Sequence, residues 1–443
     1  MKKRTKQNAR RNAARPAPRN TEPRLVQIEK PVYGGAFLAR VEGKATFVPL
    51  TLPGEQVRVR IVEDKRGYAT AEAEEIVEAA PQRVAPACRH FGACGGCQYQ
   101  HADYAAQLNF KQAILRETLE RGGVRAPDEI GVLAAKPWAY RNRIRLALDA
   151  EGNPGYRGRR SHATIAIAEC PIAAPLLVRA ALAAGEILRE WRPALRATEI
   201  ALFCDAAESS MLASIEADGA AKNSFEEFAA ALGGKIPELK GAELLLDGRN
   251  GDLPRRAADW GAGSLFYRVA GHDYRVDHGA FFQVNRRLVD SLVECVTSGE
   301  RGGLAWDLFA GVGLFATRLA GDFEQVVAVE SAPAAMDALK ANLKGTSGTA
   351  VKAATIDFIR RGGRSERPEL VVVDPPRTGL GVETTELLVK VGAPALTYVS
   401  CDPATLARDL KALLGAGYAI ENMTLADLFP QTFHLETVVR LRR

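Results

Sequence analysis

From Leu304 onward the chain keeps one rhythm: a short apolar run, a polar or glycine-rich break, then a stretch with helical spacing. The runs are Leu304–Phe309, Gln325–Val329, the segment around Val351, Glu369–Val373 and Ala395–Val399. Aliphatic, β-branched runs this short read as strands rather than helices. Strands separated by helices pair in one sheet through crossover connections. The expected fold class is α/β, a seven-stranded doubly wound sheet. Two further strands, near Tyr418–Leu425 and Glu436–Leu441, would close it as an antiparallel pair. Such sheets place their sites beyond the carboxyl ends of the strands, so the residues after each run are the ones to weigh.

The first run leads into Ala310-Gly-Val-Gly313, a tight turn that opens a helix and brings Gly311 and Gly313 close to a ligand. The second ends in Glu330, placed to accept both hydroxyls of a ribose. The third leads to Asp357, within reach of an adenine amino group. The fourth leads into Asp374-Pro-Pro-Arg377, where Arg377 would hold a phosphate or orient a base. Gly311-x-Gly313-x-x-Ala316 also satisfies a dinucleotide fingerprint, so the glycines alone leave NAD open. Asp-Pro-Pro-Arg and the terminal hairpin favour S-adenosylmethionine, which has no pyrophosphate and needs no third glycine. The fifth run ends in Ser400-Cys401-Asp402-Pro403. Most free cysteines are small buried hydrophobes. At a strand-to-helix turn the following amides lower a thiol's pKa, and the motifs upstream favour that reactive reading of Cys401.

The amino-terminal half carries different signals. Residues 1–24 hold nine Lys/Arg and one acid, a net +8 against +6 for the whole chain. The excess basic charge therefore lies in a tail without apolar periodicity, expected to be disordered and drawn to a polyanion such as RNA. Residues 25–80 alternate and turn like a small β-barrel; Gly35, the Phe47-Val-Pro segment and Leu52-Pro-Gly-Glu55 resemble a TRAM domain, an OB-like RNA-binding barrel. Cys88, Cys94 and Cys97 follow as Cys-x5-Cys-Gly-Gly-Cys, with Cys170 of Ala-Glu-Cys-Pro the candidate fourth ligand. Four thiolates suit zinc or an iron–sulfur cluster, and spacing does not choose between them. His101–Gly122 reads as a helix, and Cys204 and Cys295 as core. Arg141, Arg143, Arg145, Arg157, Arg159 and Arg160 gather on a hairpin with Tyr140 and Tyr156, a pattern suited to phosphate contact and base stacking. No apolar run approaches the ~18 residues of a spanning helix and no secretory signal opens the chain, so a cytoplasmic protein without membrane contact is expected.

Taken together, Cys88-x5-Cys94-Gly-Gly-Cys97 with Cys170, Phe281-Phe-Gln-Val-Asn285, Asp307-Leu-Phe-Ala-Gly-Val-Gly313, Asp374-Pro-Pro-Arg377, Ser400-Cys401-Asp-Pro-Ala-Thr-Leu-Ala-Arg408 and His434-Leu-Glu436 resemble the RNA uracil-C5 methyltransferases over nearly the whole chain. The resemblance implies that the four cysteines hold a [4Fe-4S] cluster. It also implies that Gln283, Phe309, Glu330 and Asp374 contact S-adenosylmethionine, that Cys401 is the nucleophile and that Glu436 is the base. Members with both a TRAM domain and the cluster mostly act on 23S ribosomal RNA; transfer RNA is the alternative substrate. Ala310 stands where the family often has Cys, and Leu314 where some members place a polar cofactor contact. The expected organisation is a tail over 1–24, a TRAM barrel over 25–80, a central cluster- and RNA-binding domain over 81–280, whose helix 101–122 packs on the catalytic domain, and a class I methyltransferase domain over 281–443. A monomer is expected. A cytosine-C5 RNA methyltransferase is the enzymatic rival, a non-catalytic RNA-binding protein the rival of another class.

Overall fold

The structure, a computed structural model, describes residues 22–191, 195–220, 222–246, 254–362 and 367–443. The basic tail read over residues 1–24 lies almost wholly outside the described residues. The chain forms two compact units. In the first, β1 (Arg24–Val32), β2 (Ala36–Val41), β3 (Lys44–Pro49), β4 (Gln56–Asp64) and β5 (Ala69–Glu78) close a barrel in the order β1-β2-β3-β5-β4. Alternation makes the barrel: Val57 and Val59 are enclosed while Arg58 between them is exposed. Glu55 is enclosed too. It accepts from the backbone N–H of Leu52 (2.7 Å) and Ala80 (3.3 Å) and from Arg83 Nε (2.5 Å) and Nη2 (2.8 Å), tying the Pro53-Gly54 turn to the barrel's last strand.

The second unit begins with α1 (Tyr104–Arg121), started by the Asp103 side chain accepting from Ala106 N, and β6 (Gly131–Leu133). A seven-stranded sheet follows: β7 (Arg143–Leu148), β8 (Pro154–Arg157), β9 (Thr164–Ala166), β10 (Leu195–Cys204), β11 (Met211–Ala220), β12 (Leu239–Leu246) and β13 (Arg255–Gly261), in the order β13-β12-β11-β10-β7-β8-β9. One face is covered by α2 (Pro175–Trp191) and α3 (Lys222–Lys235), which share a core with it. The hairpin β14 (Ser264–Val269) and β15 (His272–Asp277) leads on to α4 (Val289–Thr297).

The strand–helix rhythm then appears as β16 (Gly302–Leu308), α5 (Leu314–Leu319), β17 (Phe323–Glu330), α6 (Pro333–Leu343), β18 (Gly348–Lys352), α7 (Thr355–Gly362), β19 (Leu370–Val373), α8 (Gly381–Val391), β20 (Ala395–Ser400), α9 (Pro403–Gly415), β21 (Ala419–Ala426) and β22 (Glu436–Arg442). The sheet order is β18-β17-β16-β19-β20-β22-β21-β6. Its central strands are apolar on both faces because helices cover both; Val371, Val372 and Val373 are fully enclosed. The sheet has eight strands rather than the expected seven. The eighth, β6, pairs parallel with β21 through Thr424↔Gly131. Three residues carry no readable period; β6 joins because α1 docks on α9, where Ile114, Leu115 and Leu119 share a core with Leu406 and Leu410. Gly122 ends α1 at this contact, where a Cβ would lie 2.6 Å from Ala407 Cβ.

Candidate active site and thiol cavity

The strand β22 inserts between β20 and β21, antiparallel to both. Leu396 faces Leu441 and Ser400 faces Thr437, so Cys401 and Glu436 are one step further along the same two strands. Asp374 follows β19, the parallel neighbour of β20. One sheet edge thus gathers Asp374, Cys401 and Glu436 from three adjacent strands. Glu436 is buried and Cys401 half-buried.

Burial pushes the Glu436 carboxyl well above its ordinary range; Asp374 adds to the rise and Arg377 opposes it. Desolvation lifts Asp374 to about 7. The Cys401 thiol is pushed up to about 12, first by burial, then by Glu436 and Asp374, against Arg377. The helix start was expected to lower this thiol. It does not, because burial of the sulfur and the neighbouring Glu436 and Asp374 carboxyls outweigh it, while the Asp402 side chain caps the helix, accepting from Ala404 N (3.0 Å) and Thr405 N (2.9 Å). In the resting site the nucleophile candidate is a thiol.

The segment between β21 and β22 carries His434, whose Nδ1 is 2.9 Å from Arg377 Nη2. Burial, together with Arg377, Lys111 and Arg141, pushes its imidazole down to about 4. The neutral ring therefore accepts from the guanidinium. This segment is fastened by residues that sequence reasoning missed. Lys111 of α1 reaches Asp427 Oδ1 (2.5 Å) and the Phe429 carbonyl (2.9 Å), and Tyr104 donates to Asp427 Oδ2 (2.8 Å). Gln107 accepts from Gln431 N (3.0 Å), while Gln98 N (2.9 Å) and Tyr99 N (3.0 Å) donate to the Gln431 carbonyl. Asn285 of the Phe-Phe-Gln-Val-Asn motif donates to the Leu428 carbonyl (3.2 Å).

On the neighbouring strands, Gly311 N donates to Glu330 Oε2 (2.9 Å), and Ser331 N and Ala332 N to Oε1 (2.6 Å each), so this carboxylate holds the glycine turn from the next strand. Gly311 (φ 56°) has open space where a Cβ would stand, room for a ligand. Gly313 (φ 89°) would put a Cβ 2.7 Å from Leu339 Cδ1, so it serves close packing. Phe309 is left-handed at φ 67°, a conformation that costs a bulky residue about 1–3 kcal/mol and marks a constrained turn. Gln283 Nε2 donates to Asp374 Oδ2 (3.3 Å). Asp307, fully enclosed, accepts from Ala316 N (2.8 Å); burial lifts it to about 7. Asp357, after β18, is exposed in the first turn of α7 and pairs with Arg360 at 3.3 Å. Ala310 and Leu314 are both core.

Cys88, Cys94, Cys97 and Cys170 line one cavity of about 80 Å³, with Arg141 and Tyr156 in its wall. Burial raises the thiols of Cys88, Cys94 and Cys97, the last to about 12. Among the described residues no group of three or more His, Cys, Asp or Glu is arranged to hold a metal ion. Cys204 is buried, as expected; Cys295, on α4, is half-buried against the core rather than within it. Of the six arginines expected on one hairpin, Arg143, Arg145 and Arg157 lie on β7–β8 and Arg141, Arg159 and Arg160 lie outside it, and the two tyrosines face inward. Tyr140 is fully enclosed and donates to the Pro430 carbonyl (3.0 Å), and the Tyr156 hydroxyl is 3.8 Å from Cys170 Sγ. Neither ring offers the stacking platform expected from the pattern: Tyr140 is claimed by the segment between β21 and β22 and Tyr156 by the wall of the thiol cavity.

A family model described as TRAM domain matches residues 22–73, and one described as tRNA (Uracil-5-)-methyltransferase matches residues 364–443. A Streptomyces avermitilis protein named an uncharacterized RNA methyltransferase is 34% identical, over 94% of this chain and 97% of that protein. The 23S rRNA (uracil(1939)-C(5))-methyltransferase of Halomonas elongata is 32% identical, over 94% of this chain and 89% of its own length. This chain belongs to the RNA uracil-C5 methyltransferase family. The solved structure of the Pyrococcus abyssi tRNA (uracil-54, C5)-methyltransferase in complex with S-adenosyl-L-homocysteine is 23% identical with a TM-score of 0.74, over 94% of this chain and 100% of that one, a likeness of fold. An RNA uracil-C5 methyltransferase draws its methyl group from S-adenosylmethionine. No helix among the described residues of this RNA uracil-C5 methyltransferase is long and apolar enough to cross a membrane.

Proposed function

We propose that this enzyme methylates carbon 5 of a uridine in 23S ribosomal RNA, with Cys401 as the nucleophile and Glu436 as the base. The observation that carries the reading is the meeting of one thiol and two carboxyls, from residues 374, 401 and 436, at one sheet edge. Carbon 5 of uracil is a poor nucleophile. Cys401 Sγ gives its proton to solvent and adds to carbon 6, making carbon 5 an enolate carbon that can take a methyl group. S-adenosylmethionine supplies that methyl group as an electrophile and leaves as S-adenosylhomocysteine. Carbon 5 then bears a methyl group and a hydrogen. Glu436 removes the hydrogen as a proton, the carbon–sulfur bond breaks, and the double bond re-forms. A carboxyl raised by burial is a stronger base than an exposed one, which suits this step. Arg377, exposed at the same edge and held by neutral His434, faces the RNA. Glu330, Phe309, Asp374, Gln283, Gly311, Gly313 and Asp357 would hold the methyl donor.

The four cysteines are proposed to hold a [4Fe-4S] cluster. Support comes from an all-sulfur donor set in one cavity and from burial that disfavours free thiolates unless iron's charge compensates. Cys97 adjoins Gln98 and Tyr99, which hold Gln431, so the cluster would stiffen the segment before Glu436. The proposed organisation keeps the boundaries 24/25, 80/81 and 280/281, with the enzyme acting as a cytoplasmic monomer.

The test is 5-fluorouridine-substituted 23S RNA incubated with S-adenosylmethionine. Fluorine cannot leave as a proton, so a covalent protein–RNA link should form at Cys401 and be absent in Cys401→Ala, which still binds RNA. A link at another residue, or none, refutes the assignment. Anaerobically purified protein should absorb broadly near ~400 nm; colourless protein with one zinc per chain refutes the cluster.

A further inference from the structure

The turn Tyr33–Gly35, between β1 and β2, belongs to the second unit. Its first residue touches two of the segments that meet at the catalytic edge. The Tyr33 hydroxyl donates to Asp402 Oδ2 (3.2 Å). The Tyr33 ring stands edge-on to Phe433, with centroids 5.6 Å apart and planes at 84°. Asp402 directly follows Cys401, and Phe433 lies three positions before Glu436. The turn is fitted to this place. A Cβ on Gly35 would lie 2.7 Å from Gln98 Cγ and 3.3 Å from Phe433 Cδ1, so glycine lets the backbone settle against both. Burial and the Asp402 carboxylate push the Tyr33 hydroxyl up, so it stays protonated and remains a donor. No step of methyl transfer consumes or supplies its proton.

Cys401 hangs between the last residue of β20 and the start of α9, so its sulfur stands where that joint stands. Pairing with β19 and β22 fixes β20 from both sides. The start of α9 is set by Asp402, extended at φ −138°, whose Oδ1 accepts from Ala404 N (3.0 Å) and Thr405 N (2.9 Å). Those two bonds bind the carboxylate to its own helix and move with it. Tyr33 reaches Oδ2 from outside that helix and braces it on the segment that leads into Glu436. One side chain therefore spans the two pieces of chain that carry the thiol and the carboxyl. Attack by a held nucleophile is lost steeply on displacement, about 100-fold for a shift of ~1 Å.

We propose that Tyr33 is a positioning residue for the methyl transfer: its hydroxyl, braced on Phe433, holds Asp402 so that the Cys401 sulfur meets carbon 6 of the target uridine. The proposal rests on the reading of Cys401 as the nucleophile.

The test follows covalent linkage to 5-fluorouridine-substituted 23S RNA with S-adenosylmethionine present. Two quantities are read: the rate at saturating RNA and the RNA concentration that half-saturates it. Tyr33→Phe keeps the ring on Phe433 and removes only the hydroxyl. It should slow linkage about tenfold, the scale of one hydrogen bond to a charged group, with half-saturation within about twofold and a melting midpoint within about 3 °C of wild type. Asp402→Asn, whose amide caps α9 and still bonds Tyr33, should stay within about threefold of the wild-type rate. Asp402→Ser caps α9 but falls short of Tyr33; it should be about tenfold slow, and adding Tyr33→Phe to it should change nothing further. A wild-type rate in Tyr33→Phe, a loss confined to half-saturation, or an undiminished effect on top of Asp402→Ser overturns the positioning role while leaving covalent catalysis standing. Should Tyr33→Phe fail to fold, equal rates in the two Asp402 variants overturn it, and the expected gap between them upholds it. A folded wild type that forms no link at Cys401 overturns both readings.

Discussion

Replacing Lys111 by Met should weaken the protein more than any single surface change. Lys111 and Asp427 have no exposed side-chain surface. The ammonium contacts Asp427 Oδ1 at 2.5 Å and the Phe429 carbonyl at 2.9 Å. Methionine fills nearly the same volume, so the cavity contribution is small. What remains is a buried carboxylate whose other partner is the Tyr104 hydroxyl at 2.8 Å. Breaking a buried pair by removing one partner costs about 3–5 kcal/mol. At ~1.3 °C per kcal/mol for a unit of about 360 residues, the midpoint should fall by roughly 4–7 °C. Circular dichroism melts at neutral pH measure it. The pair joins α1 to the segment leading into Glu436, so kcat should fall as well, even at temperatures where the variant is folded. Lys111→Met with Asp427→Asn removes both charges and should recover most of the loss in stability. A midpoint shift under about 2 °C, or a double variant no better than the single one, would refute the reasoning.

Three further outcomes follow from the same structure. With its thiol near 12, Cys401 should be ionised in only about one molecule in 10⁵ at pH 7, so its alkylation by iodoacetamide should rise about tenfold per pH unit from 7 to 9; peptide mass spectrometry reads this, and a plateau near pH 8 would contradict the buried-thiol electrostatics. Glu436→Gln should keep adduct formation but slow its resolution at least 100-fold, the scale of a general base, accumulating a protein–RNA species on denaturing gels even with ordinary uridine; turnover at the wild-type rate would point to another base. In the barrel, burial opposes ionisation of Glu55, yet Arg83 and the Leu52 and Ala80 amides hold its carboxyl below the ordinary range. A depressed folded pKa gives stability that is present above the unfolded value and lost as pH falls through the folded one. Glu55→Gln should therefore destabilise the barrel by about 1–3 kcal/mol at pH 7 and flatten its acid unfolding curve; an unchanged curve would show that Glu55 is not the titrating group.

The chain's own order carried the architecture a long way. Short apolar runs spaced by helices dictate a wound sheet, because runs of that length cannot bury themselves otherwise, and the turns after them hold Gly311, Glu330, Asp374 and Cys401 where strands end. Alternation likewise sufficed for the barrel. Three things were decided only by tertiary contact. The antiparallel insertion of β22 sets Glu436 against Cys401 across 35 positions of sequence, and no local period encodes strand order. The state of the thiol reversed: a helix start favours a thiolate, but the sulfur is buried and two carboxyls crowd it, and burial and charge are summed over neighbours that the linear chain does not name. Tyr140 and Tyr156, set among arginines like stacking platforms, turned inward, since a residue's face is chosen by what packs beneath it. Sequence determined which chemical groups stand at the ends of strands; the packing of distant strands determined which of those groups meet, and in what protonation state.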